Sequence, residues 1–149
     1  MNLFEVTGLD IERLNAEQLT DILARLVAQE AKRIGIPQRC IDVSSNIDAS
    51  DGGIDCEIRC DEQFSSRSWV CNWIPSSLSG FQCKATDMSP ANCKNEMLRF
   101  RSSDLKPRVE RLLDCGGTYV LFYGRRCNSC SQERRVSKMR EAVRDAGKT

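Results

Sequence analysis

Residues 51–58 read DGGIDCEI and residues 80–86 read GFQCKAT, and the placement of these two fragments decides the fold. In the first, Ile54, Cys56, Ile58 and then Cys60 alternate with Asp55, Glu57 and Arg59. In the second, Phe81, Cys83 and Ala85 alternate with Gln82, Lys84 and Thr86. A period of two belongs to β-strands, because successive side chains leave opposite faces of the pleat. Strands are therefore predicted over 54–60 and 80–86. Consecutive strands are neighbours more often than not, so Asp55, Glu57, Gln82 and Lys84 would share one polar face. Either that face meets solvent or it forms the floor of a site.

Outward from these strands, the pattern changes period. A helix is predicted over 16–34, with Asn15 as N-cap, Gln18 at the capping-box position, and Gly35 and Pro37 as stops. Its apolar stripe runs Leu19, Ile22, Leu23, Leu26, Val27, Ile34. Glu30 falls four residues from both Leu26 and Ile34, on the same face. A carboxylate there must snorkel out, pair with a base such as Arg33, or bind a metal. A strand at 40–46 follows, then the turn-rich NIDASDGG, and a Ser-rich connection over 61–79 carries Trp69 and Trp73. Ser89 and Pro90 open a further helix, and another is predicted over 106–114. The nearly all-apolar TYVLFYG, 118–124, is expected as an interior strand, and a basic helix over 132–146 closes the chain. The order αβββαβα, without internal repeats, makes an α/β sandwich.

The 149 residues suit one domain. No apolar run is long enough to span a membrane. The N-terminus lacks the basic start and apolar core of a signal peptide, so a cytoplasmic protein is expected. Nine cysteines suggest disulfides at first. The count is odd, however, and Cys56, Cys60 and Cys83 fall inside predicted strands, where free cysteine acts as a small packing residue. Histidine is absent, which excludes His-based triads and His-ligated metals and leaves carboxylates, amides, lysine and thiols. The net charge of +1 hides an asymmetry: residues 1–98 carry −6 and residues 99–149 carry +7. A basic half points to polyanion contact or to a solvated helix face.

Two oxygen-bearing side chains beside a lysine suit phosphodiester hydrolysis. A hard divalent cation takes oxygen ligands and keeps waters, activates one of them and polarises phosphoryl oxygens. Lysine supplies a compact positive charge for the pentavalent phosphorane.

Taken in order, Glu30 in the first helix, GGID at 52–55, IPSSLSGFQCKATDM at 74–88 and the strand GTYVLF at 117–122 resemble the PD-(D/E)xK, restriction-endonuclease-like nucleases in their QxK variant. More narrowly, they resemble the N-terminal nuclease domains of bacterial antiphage STAND NTPases and CBASS effectors. The resemblance covers roughly residues 15–125. It implies an αβββαβ core with a mixed central sheet flanked by helices. Residues 1–149 would be one nuclease domain, the N-terminal part of a longer protein. Asp55 would be the central metal ligand, Gln82 its partner, Lys84 the catalytic lysine, and Glu30 a further ligand or water-orienting carboxylate. The backbone carbonyl of Cys83 would complete a Mg²⁺ site in which Mn²⁺ can substitute. The substrate would be duplex DNA, and the activity would depend on contact with other copies of the protein. Glutamine stands where the family usually has glutamate, and a neutral amide oxygen is the weaker ligand.

Further signals lie outside that set. Arg125 and Arg126 are the candidate DNA-backbone contacts. Cys127-x-x-Cys130 has zinc-knuckle spacing but lacks a matching second pair. Glu57 reads as a peripheral carboxylate, and Glu96 as a group behind the cleft or a solvated one. The tryptophans either stack on bases or pack a loop. Two rival functions remain: a nucleic-acid-binding module of the same fold without chemistry, and a cysteine–zinc interaction domain.

Overall fold

In the computed structural model the described residues are 6–44, 53–60 and 73–148. The end of the 40–46 strand, most of NIDASDGG including Gly52, and Trp69 in the Ser-rich connection lie outside them. A four-stranded mixed sheet, flanked by helices, organises the rest. The strands are β1 (Ile41–Val43), β2 (Cys56–Arg59), β3 (Leu78–Lys84) and β4 (Thr118–Tyr123), and they lie side by side in that order. β1, β2 and β3 are antiparallel, with Cys56 opposite Phe81 and Glu57 opposite Gly80. β4 runs parallel to β3, Gln82 facing Leu121. A parallel pair needs a crossover, which the chain makes through α3 (Pro90–Met97) and α4 (Pro107–Asp114). The helices before and after are α1 (Gly8–Glu12), α2 (Ala16–Ile34) and α5 (Ser129–Asp145).

The start of α2 follows the reciprocal pattern read from the sequence. Asn15 Oδ1 accepts the Gln18 N–H at 2.8 Å, and Gln18 Oε1 accepts the Asn15 N–H at 3.0 Å. Gly35, at φ 79°, ends the helix in the left-handed conformation that glycine adopts without strain. The buried stripe is Leu19, Leu23, Val27 and Ala31, spaced by four, while Leu26 is 46% exposed. Leu26 is thus off the core face on which it was expected, and Glu30 sits on the flank with it.

α2 packs its stripe on Cys56, Ile58, Phe81 and Cys83. The opposite sheet face, with Leu78, Tyr119 and the inserted Ile54, is covered by Met97, Leu105, Val109 and Leu112 of the crossover and by Ala142 of α5. Trp73 rests against Phe81 at 6.2 Å between ring centroids, a packing role. β3 is therefore buried on both sides, and its even-numbered residues face helices rather than water. Two expectations change. Ile54 does not share a face with Cys56 and Ile58, because the chain bends before β2 and sends Ile54 to the α4 side. β4 is an edge strand and is half-buried throughout. Its apolar character comes from being covered on both faces, with Val120 and Phe122 toward the α2 core and Tyr119 toward the α5 core.

Candidate functional site

The bend that misplaces Ile54 also places Asp55. Gly53 has φ 83°, a left-handed conformation that side chains rarely adopt, so the backbone needs glycine there; the Lys106 side chain lies directly against it. One residue later, the Asp55 N–H reaches Phe81 O at 2.7 Å, and Asp55 O takes the Ser44 N–H at 2.8 Å. The residue is thus held from both sides just ahead of β2. Its Oδ2 accepts the Cys83 N–H at 2.7 Å and Gln82 Nε2–H at 2.9 Å. Asp55 is 6% exposed and Gln82 8%. A solvated polar strand face is excluded by those figures.

Gln82 spends its amide nitrogen on Asp55, and its Oε1 is buried with no hydrogen-bond partner. A buried acceptor left unmade costs about 1–3 kcal/mol, so an orphan beside a carboxylate marks a place for a donor or a cation. The Tyr119 hydroxyl, on the same sheet face, is a second buried orphan. Burial, and then the charges of Glu96 and Asp55, push that phenol well above its ordinary range.

Two residues beyond Gln82, Lys84 Nζ lies 2.9 Å from Glu96 Oε1. Lys106 Nζ reaches the same oxygen at 3.0 Å. Glu96, on α3, is thus a shared counter-ion for two ammonium groups. Lys106 also borders Gln82: its Nζ and Gln82 Oε1 both lie within 3.6 Å of the point where a Gly53 Cβ would be. The site is a carboxylate, an open amide oxygen, a phenol and two lysines on one carboxylate.

The expected residues therefore divide. Asp55, Gln82, the Cys83 backbone and Lys84 come together, Cys83 through its N–H. Glu30 sits on α2, which packs on the other sheet face, and its carboxylate takes Arg33 Nε at 3.1 and 3.0 Å and Nη2 at 2.5 Å. Arg125 Nε donates to Ala85 O at 2.8 Å, and Arg126 pairs with Glu12 at 3.4 Å. Glu57 accepts from Arg59 at 2.5 Å and Arg108 at 3.4 Å. Lys106, Tyr119 and Arg108 were not singled out from the sequence. Lys106 had one signal: it is the N-cap of α4, a position that favours Ser, Thr, Asp or Asn.

Cys40, Cys56, Cys83, Cys93, Cys115, Cys127 and Cys130 are free thiols. Burial pushes Cys56 up to about 12 and Cys83 up to about 11, the latter eased by a hydrogen bond with Thr20. Both stay protonated at neutral pH and act as packing groups. Among the described residues no three Cys, Asp or Glu side chains stand together as a metal centre, and none of their helices is long and apolar enough to cross a membrane. Set against family models, curated proteins and solved structures, the chain matches none.

Proposed function

We propose that this chain is a metal-dependent endonuclease domain of restriction-endonuclease-like fold that hydrolyses phosphodiester bonds in DNA. One observation carries the reading: a buried Asp55–Gln82 pair whose amide oxygen lacks a partner, with two lysines on the same sheet face. The donor set suits Mg²⁺, which prefers oxygen ligands and retains several waters. Asp55 and Gln82 would hold it, and the resemblance adds the Cys83 carbonyl; Glu30, which the resemblance also names, is held by Arg33 on the α2 side of the sheet and lies outside this set. When bound, Mg²⁺ polarises a phosphoryl oxygen and lowers the pKa of a bound water.

The chain's own groups do the rest. Asp55 is kept in place by the Cys83 N–H and the Gln82 amide. Lys84 stabilises the negative charge that gathers on the non-bridging phosphoryl oxygens as water adds and one bridging P–O bond breaks, giving a phosphate monoester and an alcohol. Glu96 holds the lysine in position until phosphate competes for it. The biological setting that fits is an antiphage effector, cytoplasmic and activated when copies of the protein assemble.

Supercoiled plasmid incubated with Mg²⁺ or with EDTA tests the reading. Wild-type protein should nick the plasmid only with metal. Asp55→Asn and Lys84→Ala should each reduce cleavage at least 100-fold, on the scale of losing a transition-state charge partner. Cleavage at the wild-type rate by either variant, or equal cleavage in EDTA, sinks it.

A further inference from the structure

On the α4 side of β1 and β2 lies a cavity of about 670 Å³ lined by Arg39, Asp42, Glu57, Arg59, Arg108 and Arg111. Its construction follows from register. Asp42 stands opposite Glu57, and Arg59 lies two residues on, on the same face. Arg108 and Arg111 are one turn apart on α4, above them. Glu57, 7% exposed, holds Arg59 and Arg108, and Asp42 lies 4.0 Å from Arg108. The guanidinium groups of Arg39 and Arg111 make no ion pair or hydrogen bond with the described residues. Four cations thus face two anions, and both uncompensated cations are exposed.

Arg108 ties this cavity to the candidate active site. One of its nitrogens is held by Glu57 and the other donates to Ile54 O at 3.2 Å, next to Asp55. The four residue steps from Asp55 to Arg59 span about 13 Å. An extended polyanion crossing the Asp55 site would therefore bring a neighbouring phosphate among the arginines. Planar guanidinium forks suit phosphate oxygens better than lysine does.

We propose that this arginine-lined cavity binds a backbone phosphate of the nucleic-acid strand, a few nucleotides from the bond held at Asp55. This rests on the nuclease reading for the strand's path, but binding tests it separately. Anisotropy of a short fluorescein-labelled DNA duplex is measured in EDTA over rising KCl. The Arg39→Ala/Arg111→Ala protein should bind about tenfold more weakly, with a salt slope smaller by about one to two, since each lost phosphate contact removes nearly one released counterion. Both side chains are exposed and make no ion pair with the described residues, so its melting temperature should match wild type. Wild-type affinity in the Arg39/Arg111 variant overturns the proposal, as does failure of the wild-type protein to bind duplex. Inorganic phosphate that binds more tightly than the duplex would also overturn it, by giving the cavity to a small anion. Intact arginine-dependent binding without Mg²⁺-dependent cleavage would overturn the nuclease reading alone. Cleavage with unchanged binding in the variant would overturn this inference alone.

Discussion

The contact between Gln82 and Asp55 is asymmetric: nitrogen donates, and the amide oxygen on the other side is left over. Glutamate at this position would reverse the first half. Its carboxylate has no donor for Asp55 Oδ2, and two carboxylates in one buried place resist being ionised together. Gln82→Glu should therefore cost about 1–3 kcal/mol in EDTA, the range for a lost buried hydrogen bond. Mg²⁺ should return part of that loss, because a cation that binds only the folded state stabilises it. Thermal melts with and without Mg²⁺ check this. An unchanged melting temperature in EDTA, or no greater gain from Mg²⁺ than wild type shows, would remove Gln82 from the ligand set. The residues of this pair were legible in the sequence, because Asp55 and Gln82 stand at fixed steps in alternating strands. The direction of the amide was not, since it depends on the Cys83 N–H sharing the same carboxylate oxygen.

Among the elements, β3 has the strictest requirements. Gly80 lies beneath Leu112 and Ile54, and a Cβ there would come within 2.7 Å of Leu112 Cδ2 and 2.9 Å of Ile54 Cδ1. Both neighbours are fully buried and have little room to retreat. Gly80→Ala should lower stability by about 1–3 kcal/mol, the usual cost of overpacking, read as a lower urea midpoint with unchanged m-value. A midpoint equal to wild type would mean that α4 does not press on the sheet as described. Helix α2 was readable in advance because its two ends are local chemistry: Asn15 with Gln18, then Gly35. The bend at Asp55 was not, because Ile54 continues the strand's alternation in sequence yet is drawn to the α4 core in space. The edge position of β4 was likewise hidden. An apolar strand covered on both faces reads the same in the middle of a sheet as at its border. The place of Lys106 in the site, beyond its unusual N-cap position, and the arginine cavity were hidden for a similar reason, since their neighbours come from segments far apart in the chain.

At the scale of the molecule, the proposed activity has to be held in check until it is wanted. A single active site cuts one strand at a time, and Gln82 offers a neutral ligand where a second charge would bind metal more firmly. The isolated domain should thus be a poor nuclease, and tethered copies able to reach both strands should be a good one, because tethering raises effective concentration. Double-strand cutting by the monomer and by a fusion to an inducible oligomeriser, at equal protein concentration, compares the two. Equal rates would end the idea. A further consequence follows from the single Glu96 oxygen shared by Lys84 and Lys106. A phosphate arriving at these lysines must push a carboxylate aside, and that carboxylate stands ready to return. In the proposed reaction this limits affinity for the ground state, which does nothing for the chemical step, and hastens departure of the cut end. Glu96→Gln should consequently show a fast first turnover followed by slow steady cycling, with product leaving as the bottleneck. A progress curve without such a burst would mean that Glu96 only positions the lysines.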